Sequence, residues 1–136
     1  AMELPLPKTG PMGRNRAYLM NARGELPPFK IVAPRGQNYL VKLVEVGTEA
    51  HSLRAFVRAG ETADFFVPPG LYRMRIASGR AWYGDEVRFG PKTSYAQMDE
   101  ILVFRIEGDD LLGHEVQLAQ MRGGNLSKHV ISANDF

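Results

Sequence analysis

A chain of 136 residues with 44% hydrophobic and 24% charged residues holds one domain of ordinary globular sequence, too short for a second core and too apolar for a disordered or fibrous chain. The lack of cysteine leaves the redox compartment unread and excludes thiolate metal sites and cysteine nucleophiles. The net charge of +2 is too small to imply nucleic acid. It is uneven, however: residues 1–53 and 54–92 each carry +3, from seven basic against four acidic side chains, and residues 93–136 carry −4, from three against seven. Strands from these segments interleave in a sandwich, so mutual complementation is the plain reading. No apolar run approaches the roughly 20 residues needed to span a bilayer, so no transmembrane segment lies within the sequence. Ala1 ahead of Met2 reads as an added residue, which leaves room for a signal or anchor upstream in the natural protein.

Residues 1–15 read as an extended, poorly packed lead-in or linker, because Pro5, Pro7, Gly10, Pro11 and Gly13 crowd it. Leu6 to Gly10 spells the sortase pattern L-P-x-T-G, but at the wrong terminus for sorting. The domain proper is residues 16–136. Arg16 to Met20 reads as a short first strand, Phe29 to Val32 as a brief apolar piece, and Asn38 to Val46 as a strand covered on both faces for much of its length, since Tyr39, Val41 and Leu43 alternate with Leu40, Val44 and Val46. His51 to Arg58 and Thr62 to Val67 follow as alternating strands, the second with Ala63, Phe65 and Val67 inward. Pro68-Pro69-Gly70 breaks the run, because a proline pair cannot donate to a ladder. The strand restarting at Leu71 points Tyr72, Met74 and Ile76 to one side until Ser78-Gly79 turns the chain. Lys92 to Asp99 reads as irregular. Glu100 to Glu107 then pairs with His114 to Met121 as a long hairpin, Arg122 to Asn125 turns, and Leu126 to Ile131 is a last short strand. The fold class is therefore all-β, a single-domain antiparallel β-sandwich of about 8–10 short strands with little or no helix.

The segments Asn38 to Leu43, Phe56 to Thr62, Val67 to Tyr72, Ala77-Ser78-Gly79, Trp82-Tyr83-Gly84 and Phe89 to Thr93 carry a resemblance to a family of small, uncharacterised bacterial β-domains. It extends more weakly to Gly124-Asn125-Leu126 and Ile131-Ser132. The run V-P-P-G-x-Y is similar also to transthyretin-like and carboxypeptidase-regulatory sandwiches. The resemblance implies a β-fold and an N-terminal membrane anchor followed by a proline-rich linker, which suits Leu4 to Pro11. A periplasmic or membrane-anchored location is thus favoured over a cytoplasmic one. No catalytic residue is implied.

Candidate binding residues fall in two groups. Trp82, Tyr83 and Phe89 could form an aromatic shelf for a ligand, or could cap one end of the core. Arg54, Arg58, Arg73 and Arg75 are spaced in steps that project each strand's pair from one face, and neighbouring strands would merge them. With Trp82 and Tyr83 beside them they would make a surface for single-stranded nucleic acid; otherwise they form a solvated face paired with Glu61, Asp64 and Glu86. His51, His114 and His129 lack metal-ligand spacing, and the carboxylate pairs at Asp85-Glu86, Asp99-Glu100 and Asp109-Asp110 point apart or to water. No nucleophile elbow or phosphate loop is present. The sequence reads as a non-enzymatic module without metal or cofactor. Its partner is expected to be a protein or a second copy of itself, with single-stranded nucleic acid as the alternative and an enzyme of unnamed chemistry third.

Overall fold

The computed structural model describes residues 2–122 and 126–136. They form an all-β, sandwich-like fold of two sheets, with eleven strands among the described residues. The centre of the larger sheet is β3 (Asn38–Glu45), with β4 (Ser52–Val57) on one side and β6 (Gly70–Gly79) on the other, all antiparallel. The two-residue β1 (Gly10–Pro11) extends the sheet beyond β4. Beyond β6, the edge is shared: β7 (Ser94–Met98) pairs its second half and β8 (Leu102–Glu107) its first. β11 (Lys128–Val130) closes on β7, and β9 (Asp110–Leu112) folds back on β8. The smaller sheet sets β2 (Pro28–Val32) between β5 (Thr62–Phe66), antiparallel, and β10 (His114–Gln117), parallel. Among the described residues no helix is long and apolar enough to cross a membrane.

The main core lies between the sheets. Tyr39, Val41 and Leu43 of β3, Ala55 and Val57 of β4, and Tyr72, Met74 and Ile76 of β6 face Phe29, Ile31, Ala63 and Phe65 of the smaller sheet. Alternation alone sends Leu40, Phe56 and Ala77 to the opposite side. There they build a second cluster with Trp82, Phe89 and Phe136, against which Leu6, Met12, Tyr95 and Ile131 pack. The outer face of the larger sheet is thus covered over part of its area by the lead-in, the 82–89 loop and the last residues.

Several expectations are corrected. Arg16 to Met20 is not a strand but part of the helix α1 (Arg16–Asn21); Arg, Ala, Leu and Met all favour helix, and only Leu19 is buried, joining Ala22 and Leu26. Ser78 and Gly79 do not turn: β6 runs through them opposite Tyr39 and Asn38. Lys92 to Asp99 is not irregular, since Ser94–Met98 forms β7 with Ala96 and Met98 buried; its polar Ser94 and Gln97 hid the period. The long hairpin does not form. β8 turns tightly at Gly108 into β9, and the following residues leave for the smaller sheet as β10 before ending in the five-residue helix α2 (Leu118–Arg122). The predicted turn at Arg122 to Asn125 lies largely outside the described residues. The lead-in is extended but not loose: Gly10 and Pro11 are buried, and the Leu4 amide donates to the Trp82 carbonyl at 2.7 Å.

Tyr72 closes one end of the core. It is 4% exposed, its hydroxyl donates to the Pro68 carbonyl at 2.7 Å, and burial together with the nearby Glu45 pushes its pKa up to about 12 from the usual 10. The folded state therefore keeps this proton where the unfolded chain has lost it. Its stabilising contribution is complete below pH 10 and falls as pH rises from 10 toward 12. Tyr72→Phe is expected to cost about 1 kcal/mol at pH 8 through the lost hydrogen bond. It should also flatten the alkaline decline of stability relative to wild type, as followed by urea unfolding at pH 8 and pH 11.

Candidate binding face

The strand register brings distant residues into one line. Arg54 of β4 stands opposite Lys42 of β3, Lys42 opposite Arg75 of β6, Arg75 opposite Gln97 of β7, and Gln97 opposite His129 of β11. At a strand spacing near 4.8 Å, five strands make a polar row about 19 Å long on the outer face. Two residues along, Ser52, Val44 and Arg73 form the next row. Two further on, Val46, Leu71 and Val103 form a third, through the Val46 amide bonded to the Leu71 carbonyl and Leu71 opposite Val103. These three residues are 42%, 46% and 40% exposed, an apolar strip with the Ser52, Val44 and Arg73 row between it and the basic one.

Each cation in the row is held. The Arg75 Nε donates to Gln97 Oε1 at 2.8 Å, and its Nη2 faces the Glu49 carboxylate at 3.7 Å. Arg54 donates to Asp85 Oδ1 at 3.0 Å, and Arg73 to the Asp99 carbonyl at 2.8 Å. Lys42 Nζ donates to the Phe136 carbonyl at 2.6 Å and sits 5.1 Å from the centre of that ring. The Arg88 guanidinium also covers the Phe136 ring, at 4.8 Å, and donates to the Tyr95 hydroxyl at 3.1 Å. Arg88 does so from a left-handed backbone, φ 57°, a conformation that side chains with a Cβ rarely adopt. Burial, and then the charges of Arg75, Arg88 and Arg54, hold Lys42 below the usual lysine range, with Glu49 opposing them. A cleft of about 500 Å³ opens over the row, lined by Lys42, Val44, Glu49, Arg75, Gln97 and Phe136 among others. Chemically it offers an ammonium, a guanidinium fork and an amide, all donors suited to an anion.

Of the residues singled out from sequence, Arg54, Arg73 and Arg75 do share this face. Arg58 lies on the same side of the same chain but is taken up by the lead-in: its Nε donates to the Pro7 carbonyl at 2.8 Å and its Nη2 to the Leu6 carbonyl at 2.9 Å. Trp82 and Phe89 are 4% and 5% exposed, so neither forms an open shelf. They meet edge to face at 5.2 Å, and Trp82 meets Phe56 in the same way at 5.3 Å, closing the second cluster from outside. Tyr83 is half-buried beside Gly90. The three histidines stand apart: His129 Nδ1 is 2.7 Å from Asp99, His51 is 4.0 Å from Glu45, and His114 packs on the Phe104 ring. Among the described residues no three His, Asp or Glu side chains gather as a metal set.

Lys42, Glu49, Arg88 and Gln97 were not legible as site residues. Lys42 did carry a signal, as the single charge inside the apolar run Tyr39 to Val44, but only the register shows that two arginines flank it. Comparison with known proteins finds no matching family model, no matching curated protein and no matching solved structure, so the reading of this face rests on its geometry.

Proposed function

We propose that the protein is a non-catalytic interaction module that binds a protein partner through the uncovered part of the outer sheet face. The observation that carries this reading is the sequence of rows there: Val46, Leu71 and Val103 left open to water, then Arg73 held by the Asp99 carbonyl, then Arg75 held by Gln97. Exposed apolar side chains with ordered arginine to one side match interface centres, where arginine is enriched and lysine depleted. The burial of Trp82 takes away one of the two stacking groups that single-stranded nucleic acid would use and leaves only the half-buried Tyr83, which favours a protein partner. Display outside the cytoplasm, from an anchor ahead of the proline-rich lead-in, belongs to the same proposal and is supported by the lead-in's composition.

The test is capture from envelope and soluble fractions of the native organism with three proteins: wild type, Leu71→Asp, and Lys30→Ala on the exposed side of the smaller sheet. A partner held by wild type and Lys30→Ala should be lost by at least about tenfold with Leu71→Asp, because a carboxylate placed at the centre of the apolar strip would be buried unpaired. A partner retained by Leu71→Asp, or an eluate of nucleic acid in place of protein, overturns the reading.

A further inference from the structure

We propose that the cleft over Lys42, Arg75 and Gln97 is a carboxylate-binding site, and that the partner fills it with an acidic side chain while an apolar residue of the same extended segment covers Val46, Leu71 and Val103. This rests on the outer face being the binding surface and names what that surface selects. Arg75 is set deep, its side chain 17% exposed, with one edge of its guanidinium already fixed by Gln97 and the Nη2 edge turned to the cleft. The group that now stands at that edge is itself a carboxylate. Glu49 reaches over from the β3–β4 turn to 3.7 Å, too far for a good hydrogen bond, and its own side chain is 78% exposed. Such a loosely held, solvated pair contributes little stability and is readily exchanged for a better-seated carboxylate. Glu49 therefore marks the ligand chemistry and competes with it.

Charge decides between a carboxylate and a polyanion. Lys42, Arg54, Arg75 and Arg88 place four cations around the cleft, and Asp85, Glu49 and Asp135 place three anions at its margins, with His129 held by Asp99 beyond Gln97. The surplus suits one negative group. A phosphodiester strand needs a longer cationic track and would meet those carboxylates. Spacing defines the rest of the segment. Leu71 lies four residues from Arg75 along β6, about 13 Å at the strand rise, so an extended partner would carry its acid and its apolar residue four positions apart.

The experiment is nuclear magnetic resonance titration of the whole chain with a blocked peptide Glu-Ser-Thr-Ser-Leu, its Gln-Ser-Thr-Ser-Leu counterpart, inorganic phosphate and a short single-stranded oligonucleotide. The glutamate peptide is expected to move the amide signals of Lys42, Arg75 and Gln97, and to raise the titration midpoint of Lys42, since a carboxylate beside it favours its charged form. The glutamine peptide should bind about tenfold more weakly, as should Arg75→Lys, which keeps the charge but loses the fork. Glu49→Gln should tighten binding about fivefold by removing the competitor. Equal binding of both peptides, tighter binding of phosphate or oligonucleotide, weaker binding with Glu49→Gln, or no binding below about 10 mM would each overturn the assignment. If that happens while Leu71→Asp still abolishes capture of the partner, the open-face reading stands and only the carboxylate site falls.

Discussion

Gly113→Ala is expected to lower the free energy of unfolding by about 3 kcal/mol or more, the upper range for an overpacked site. Gly113 joins β9 to β10, where the chain passes from the larger sheet to the smaller. Its backbone does not have positive φ, so the position tests close approach and not conformational freedom. A Cβ built there would lie 1.7 Å from the Pro28 carbonyl oxygen and 2.7 Å from its carbon. Those are main-chain atoms of β2, and no rotamer change can move them aside. Relief requires β10 to retreat, which breaks its pairing with β2 from His114 opposite Phe29 to Gln117 opposite Val32. Urea unfolding measures the loss directly, and a cost below about 1 kcal/mol would show that β10 tolerates displacement.

Phe104→Ala should cost about 3–5 kcal/mol, the range for removing a buried ring. Phe104 is 1% exposed and meets Phe29 at 5.2 Å, Tyr72 at 5.6 Å and His114 at 4.9 Å, each near edge to face. With Tyr39 and Tyr72 it is one of the larger sheet's rings in the core between the sheets, so its loss leaves a cavity where the two layers join. Ile106→Ala supplies the control within the same strand. Ile106 shares the alternation of Leu102 and Phe104 but is 46% exposed, and its truncation should stay near 0.5 kcal/mol. Comparable losses from the two substitutions would contradict the placement of β8.

The elements read correctly from sequence are those whose burial follows their own alternation. β3 shows this best: Tyr39, Val41 and Leu43 enter the main core, and Leu40 enters the outer cluster, as a strand apolar on both faces requires. β4, β5 and β6 follow for the same reason. Failures occurred where a neighbour, not the segment, decides the state. β7 is held by β6 despite its polar positions, and β10 alternates well enough to suggest a hairpin but finds its partner in β2, far upstream. The candidate site divides in the same way. Parity within a strand placed Arg73 and Arg75 on one face, because side-chain direction is local, but Arg54 joins them only through the register of the intervening β3. Parity could not show that the lead-in carbonyls claim Arg58, that Trp82 and Phe89 lie under cover, or that Lys42 separates two guanidinium groups. Those facts depend on register between strands and on which segment lies across the sheet.

The parallel pairing of β2 with β10 also sets an order of events during synthesis. β2 can join β5 once residue 66 has emerged, but its other edge must wait for residues 114–117. At ordinary elongation rates this delay lasts roughly 3–10 s, long beside the microseconds in which strands can pair. Throughout it, β2 presents an unpaired edge carrying Phe29 and Ile31 to any other nascent chain. Lys30, exposed between them, is the kind of charge that discourages such capture. The demand for chaperone protection at this edge should therefore end when the last strand of the smaller sheet closes over it.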